Sequence, residues 1–250
     1  MKIIALESSA LTASTAIVDE NSMIAEYTVN YKQQHSKTLL SMLDEICRMA
    51  DVNLADIDGV AVAAGPGSFT GLRIGSATAK GIALVIDKPI LEVPTLMGLA
   101  ANIDDDRALI CPIMDARRDR VYNGLYAYEN RALVTITDQR ALTVAELCEE
   151  LNARAAADPK EAERCVIFLG DGIAIYRDVI EASLTRPFRF APGHLARPRA
   201  GAVGTIGLQM LKAGQTVPAD DHVPVYLQKS QAEKTREEKE AAKLSKTVLA

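Results

Sequence analysis

The order of elements along this chain, which is run through twice, limits its fold more than any other feature. Residues 2–9 (KIIALESS) form a nearly continuous apolar run, the pattern of a strand buried on both faces. Residues 12–19 (TASTAIVD) follow, then a turn at Asp19, Glu20 and Asn21, then residues 22–31 (SMIAEYTVNY). The three read as an antiparallel meander. In residues 35–50, Leu39, Leu40, Leu43, Ile46, Cys47 and Met49 recur at helical spacing. Residues 59–67 (GVAVAAGPG) read as a second buried strand, 70–86 as a helix, 88–95 as a strand and 96–103 as a helix.

The acidic stretch DDDR (104–107) interrupts this order, which then partly repeats. Residues 108–116, 120–129 and 132–138 read as three strands. A helix over 143–157 follows, with Thr143 as N-cap and Glu146 at the capping-box position. Residues 165–172 read as a strand and 173–183 as a helix. Two passes through β-β-β-α-β-α predict a duplicated ribonuclease-H-like α/β fold, each lobe a mixed sheet flanked by helices. The lobes are expected at 1–104 and 105–228, with a small-residue helix at 200–213 packing back towards the first. Residues 217–228 read as extended, and 229–250 as a charged tail that is either solvated or docks a partner.

Aromatic residues make up only 4% of the chain and Trp is absent, so the core must be aliphatic and alanine-rich. A formal net charge of -5 argues against strong nucleic-acid binding by the chain alone, though not against membership of a complex whose partner supplies the basic surface. Cys47, Cys111, Cys148 and Cys165 form no C-x-x-C pair and read as small core hydrophobes. The apolar N-terminal run stops at Glu7, too short for a signal peptide, and no stretch has the ~18 apolar residues of a membrane span. A cytoplasmic protein with no membrane partner is expected.

Chemistry centres on residues 65–75, GPGSFTGLRIG, where four of eleven positions are glycine. The loop joins a strand to a helix, the place where backbone N–H groups can meet a phosphate. It lacks the Lys-Ser/Thr of a P-loop, and Gly65, Gly67, Gly71 and Gly75 do not match G-x-G-x-x-G. Gly71, Gly75, Ala79 and Ala83 instead repeat every fourth residue and form a small-residue ridge. Three partners fit that ridge: the chain's own sheet, a helix of another protein, or a phosphate. Glu7, Ser8 and Ser9 end the first strand without a glycine, so their turn is poorly suited to wrapping a phosphate, although the hydroxyls could donate to a ligand. His35, His194 and His222 lie far apart, with a capping role expected for His35. DARRDRVY (115–122) reads as a solvated hairpin tip, and Gly170-Asp171-Gly172 as a turn at which a weak nucleotide contact stays open.

Together, KIIALESS, HSKTLL (35–40), GPGSFTGLRIG with ATAKGIAL (77–84), and DARRDRVY resemble the bacterial TsaB (YeaZ) family, over most of residues 1–125 and more weakly to about 228. The resemblance implies an actin/Hsp70-like two-lobed fold and a degenerate, non-catalytic relative of TsaD. Such a subunit would bind TsaD and, with TsaE, support threonylcarbamoylation of adenosine 37 in tRNAs reading codons that begin with A, touching tRNA only indirectly. It further implies a homodimer through the first-lobe helices when TsaD is absent, with ATP and metal on the partners and no cofactor on this chain. The interface residues expected are Gly71, Arg73, Gly75, Ala79 and Ala83. Possible ligand contacts are Glu7, Ser8, Ser9, Gly65, Gly67 and Ser68. In TsaD-type relatives an H-x-x-x-H pair holds a metal; the matching VPTLMGLA (93–100) carries Thr95 and Leu99 there. An independent ATPase or kinase of the same fold is the alternative, and a metalloprotease a weaker one.

Overall fold

Burial alternates along the first strand: Ile3 and Ala5 face one core, Ile4 and Leu6 another, as the two-residue period of a strand requires. The structure, a computed structural model, describes residues 1–31 and 35–228. The tail expected at 229–250 lies outside the described residues. The first sheet runs β3 (Met23–Val29), β2 (Ala13–Asp19), β1 (Lys2–Glu7), β4 (Gly59–Gly65), β5 (Ile90–Pro94). β1, β2 and β3 pair antiparallel, whereas β4 and β5 join β1 in parallel. α1 (His35–Met49) and α2 (Phe69–Ile86) supply the crossovers and cover the face that carries Ile4, Leu6, Val60 and Val62.

The second sheet repeats this order as β8 (Ala132–Thr143), β7 (Arg120–Glu129), β6 (Leu109–Asp115), β9 (Val166–Leu169), β10 (Phe188–Phe190). α4 (Val144–Ala157) and α6 (Ile173–Ser183) cover its outer face through Leu147, Leu151, Tyr176 and Ile180. The capping box on α4 forms as its sequence predicts, with Thr143 Oγ1 accepting from the Glu146 N–H and Glu146 accepting from the Thr143 N–H. Short elements that the sequence reading does not give include β10 and a one-turn helix α5 (Pro159–Glu163), although Asp158 as N-cap and Pro159 at its first position are local signals of a helix start. Strand β8 also runs five residues beyond its expected end at 138.

Between the sheets lie α3 (Thr95–Ala100) and α7 (Ala200–Lys212). α7 packs across β1, β2, β4 and β5, and α3 touches both sheets and α7. One core therefore continues from Ile3, Ala61 and Leu91 through Leu99, Val203 and Ile206 to Ile110, Tyr126 and Ile167. Glycines let α7 lie this close, since a Cβ at Gly204 or Gly207 would fall 2.5 Å from Val18 or 2.6 Å from Ala61. Cys111 and Cys148 are buried, Cys47 and Cys165 half-buried, and all four are free thiols. By length and composition alone α2 passes for a membrane span, which the apolar count of the sequence did not anticipate; in the fold its inner face is packed on the first sheet.

After α7 the chain returns along the first lobe as a strap, residues 217–228. It departs from the extended run expected there in a turn at 219–221, where the Asp221 N–H donates to the Pro218 carbonyl at 3.1 Å. Val217 pairs with Ile90, and the Val225 N–H donates to the Ala64 carbonyl at 2.7 Å. His222 fixes the strap from within: its Nδ1 lies 2.5 Å from Glu92 Oε1 and its Nε2 2.9 Å from Ser76 Oγ. Serine and histidine are both buried there, so this Ser-His-Glu arrangement ties the strap to β5 and α2.

Candidate functional site

The glycine loop closes on the chain's own first hairpin. A Cβ built on Gly71 would sit 2.0 Å from the Ser8 carbonyl oxygen, one on Gly75 would sit 2.4 Å from Ser8 Oγ, and one on Gly67 would sit 2.5 Å from the Ser9 carbonyl oxygen. The contact is also hydrogen-bonded: the Ser68 N–H donates to Ser9 O at 2.6 Å, and Ser8 Oγ donates to Gly71 O at 2.9 Å. Ser68 Oγ caps α2 by accepting from the Gly71 N–H. Ala79 and Ala83 continue the ridge into the core beneath α2. The expectation that Gly71, Gly75, Ala79 and Ala83 form an intermolecular contact is thereby corrected. Gly71 and Gly75 are small because Ser8, in the turn after β1, presses against them, and Ala79 and Ala83 face the core that α2 shares with α1, β1 and β4. Arg73 does face outwards, but its guanidinium lies 4.0 Å from the Phe69 ring centroid and donates to Tyr226 Oη of the strap.

Gly65 ends β4 with φ +122, a conformation that disfavours side chains, and follows with a cis bond to Pro66. Its N–H donates to Thr95 Oγ1 at 3.0 Å and its carbonyl accepts from Gln139 Nε2 of β8 at 3.2 Å. Gln139 Oε1 in turn accepts from the Leu96 N–H at 3.0 Å, so one side chain of the second lobe clasps the first lobe at two backbone points. Thr95 is thus engaged with Gly65, and Leu99 lies in the shared core. A hydroxyl already in use and an aliphatic side chain do not fit the metal held by an H-x-x-x-H pair.

Glu7 is sealed beneath this loop. Burial pushes its carboxyl up to about 7, against two Ser9 hydrogen bonds that favour the charged form. The Ser9 N–H and Oγ both donate to Oε1 at 2.6 Å, while Oε2 meets no partner among the described residues. His35 donates from Nε2 to Ala10 O at 2.9 Å and so braces the hairpin turn instead of capping α1.

A cleft of about 580 Å³ separates the lobes at this end. Ser9, Gly67 and Ser68 line it from the first lobe, Asp115, Arg117 and Asp171 from the second. The DARRDRVY turn therefore forms part of a cleft wall, beyond the solvated tip its composition suggests. The Asp115 N–H donates to Asp171 Oδ1 at 3.0 Å, and burial raises the Asp171 carboxyl, partly offset by that bond and by Arg197. Glu7, Ser8, Gly65 and Gly71 are not brought to the cleft surface: they form the layer behind it. No group of three metal-binding side chains gathers among the described residues.

The outer face of α2 has no cover among the described residues. Ala77 and Gly81 are exposed, Leu84 and Val85 are 57% and 81% exposed, and nothing lies within 4 Å of a Cβ built on Gly81. These positions share one face at i, i+4 and i+7/i+8. Leu40 and Met49 of α1 are exposed as well. Sequence reasoning found the inward ridge of α2 and missed this outward one, which the run Ala77, Gly81, Leu84 could have shown.

Two mixed sheets of one order, α3 and α7 between them, and a cleft where β1 and β6 end define a two-lobed, actin-like α/β protein. The family model of TsaD, described as tRNA N6-adenosine threonylcarbamoyltransferase, matches residues 22–236. The tRNA threonylcarbamoyladenosine biosynthesis protein TsaB of Bacillus subtilis (strain 168) is 34% identical over 93% of this chain and 96% of its own length. The protein of that name from Escherichia coli (strain K12) is 26% identical over the same shares of each. YeaZ from Pseudomonas aeruginosa has the same fold, with a TM-score of 0.71 at 24% identity, covering 90% of this chain and 99% of that one. The chain belongs to the TsaB (YeaZ) family.

Proposed function

We propose that this chain is a non-catalytic subunit in the threonylcarbamoylation of tRNA adenosine 37, acting in the cytoplasm by binding a TsaD-type transferase together with TsaE. The uncovered outer face of α2 carries this reading: small residues at Ala77 and Gly81 let a second helix approach closely, and Leu84 and Val85 supply apolar area. The same face would pair two copies of the chain when the transferase is absent. The names of the curated relatives support the pathway, and the use of Thr95 and Leu99 as core residues supports leaving ATP and metal to the partner subunits.

Val85→Asp tests the reading, because it places a charge on the most exposed apolar side chain of the face without touching the core. The variant should keep its thermal unfolding midpoint and lose co-purification with TsaD, and modified nucleoside measured by mass spectrometry should fall in cells that depend on it. Undiminished co-purification would sink the assignment of this face.

A further inference from the structure

Beside the inter-lobe cleft runs a second, open groove of about 690 Å³. Arg117, Arg118, Arg120 and Arg140 line it, and the rest of its described wall is two glutamines, an alanine and a leucine, with no carboxylate. In a chain of net charge -5 this is a local concentration of positive charge. Arg120 donates to the Ala141 carbonyl, Arg140 lies 2.6 Å from Glu150, and Arg117, 85% exposed, lies 3.1 Å from Asp115. A guanidinium has five N–H donors, so one such partner does not exhaust it. The backbone turns through Arg117, Arg118 and Asp119 at φ +65, +54 and +57, a conformation costly for L residues and usually left to glycine or asparagine.

We propose that this groove binds the phosphate backbone of RNA. The described wall offers a protein partner only Ala141 and Leu227 as apolar contacts beside four arginines, whereas nucleic-acid interfaces are polar and rich in arginine. Arg117 and Arg118 also line the inter-lobe cleft, whose wall carries Phe69, Tyr122 and Tyr226. Arginines leading to aromatic rings suit a single-stranded RNA segment, with phosphates on the former and an unstacked base near the latter. The choice of RNA rests on the function proposed above; the groove itself does not. It also revises the expectation that tRNA is touched only indirectly.

The test is fluorescence anisotropy of an end-labelled RNA hairpin with the sequence of an anticodon arm, using the full chain alone and assembled with TsaD. Arg117→Asn/Arg118→Asn removes two guanidinium groups, and asparagine tolerates the left-handed backbone. Binding should weaken about tenfold at low salt, and the slope of log affinity against log salt should become less negative by about 2, one for each phosphate no longer neutralised. Arg117→Lys/Arg118→Lys should restore most of it. Equal affinity and slope in wild type and the Asn variant overturn the proposal, as does a wild-type chain that binds no hairpin in either form. Inorganic triphosphate binding as tightly as the hairpin would make this a site for free anions, and loss of TsaD co-purification without loss of RNA would make it a protein-binding surface; either overturns the RNA assignment. Co-purification read separately reports on the proposed function, so the two failures are distinct.

Discussion

The two lobes follow one strand order, β3-β2-β1-β4-β5 and β8-β7-β6-β9-β10, yet they treat the cleft between them differently. A glycine of positive φ closes the middle parallel strand of each, Gly65 as the last residue of β4 at +122 and Gly170 directly after β9 at +112, and at both a carbonyl oxygen lies 2.1 Å from where a Cβ would be. In the second lobe that oxygen belongs to Ile113 of the adjacent strand β6. In the first it belongs to Val225, brought by the strap from the far end of the described chain. The first hairpins diverge further. Glu7-Ser8-Ser9 is buried beneath the glycine loop, whereas Asp115 to Asp119 stands at the cleft mouth and carries exposed arginines. A common topology has thus been closed with protein on one side and left open on the other, and the polar surface available to a ligand comes mainly from the second lobe.

The closure of the first lobe can be broken most directly at Gly71. Gly71→Ala drives a Cβ into the Ser8 carbonyl, a backbone atom that cannot move aside, and should cost at least about 3 kcal/mol in urea unfolding. Wild-type stability in this variant would mean that the loop is not pressed on β1. The buried carboxyls offer a second comparison. Glu7 has a folded pKa raised from 4.5 to about 7, so its contribution to stability is fully present below about pH 4.5 and is lost as pH rises through 7. Above pH 7 the charged form should cost up to about 3 kcal/mol, which Glu7→Gln removes. That variant should therefore gain on wild type between pH 5 and 8, as measured by paired urea titrations, and a pH-independent difference would show that Glu7 does not titrate there. Asp171 is shifted in the same direction by burial, so Asp171→Asn should show a gain of the same sign.

Between the lobes, Gln139→Leu leaves the Gly65 carbonyl and the Leu96 N–H without their partner. About 2 kcal/mol of stability should be lost, together with hydrogen-exchange protection at Leu96. Protection unchanged at Leu96 would argue against the clasp.

The sequence made the repeated order legible because each long element carries its own period. Buried strands such as 59–65 are unbroken apolar runs, and the capping box at Thr143 is a local signal. Elements whose existence depends on distant packing were not legible. Phe188–Phe190 is three residues long and pairs only because β9 is there. His222 reads as an isolated histidine until Glu92 and Ser76, 130 and 146 residues away, are brought to it. The same limit explains the misplaced interface. A row of Gly71, Gly75, Ala79 and Ala83 announces close approach but not the approaching partner, and here that partner is the hairpin turn after β1 and the sheet beneath it. The arginines at 117 and 118 looked like a solvated tip because the groove they line is completed by β8 and the strap.

Gly81 sharpens the comparison in the other direction. It lies on the open face of α2, where no described residue approaches within 4 Å, so nothing in the described packing requires glycine there. A helix-interior glycine costs about 0.5–1 kcal/mol relative to alanine, and Gly81→Ala should raise the stability of the isolated chain by that amount. If the outer face receives a helix of the transferase, the added methyl holds the two axes apart, and the same substitution should weaken co-purification with TsaD. Val179→Ala on α6, the corresponding crossover helix of the second lobe, trims an exposed side chain and should leave co-purification unchanged. A stabilised Gly81→Ala chain that binds TsaD as tightly as wild type would remove the reason for retaining glycine there and leave the two crossover helices functionally alike.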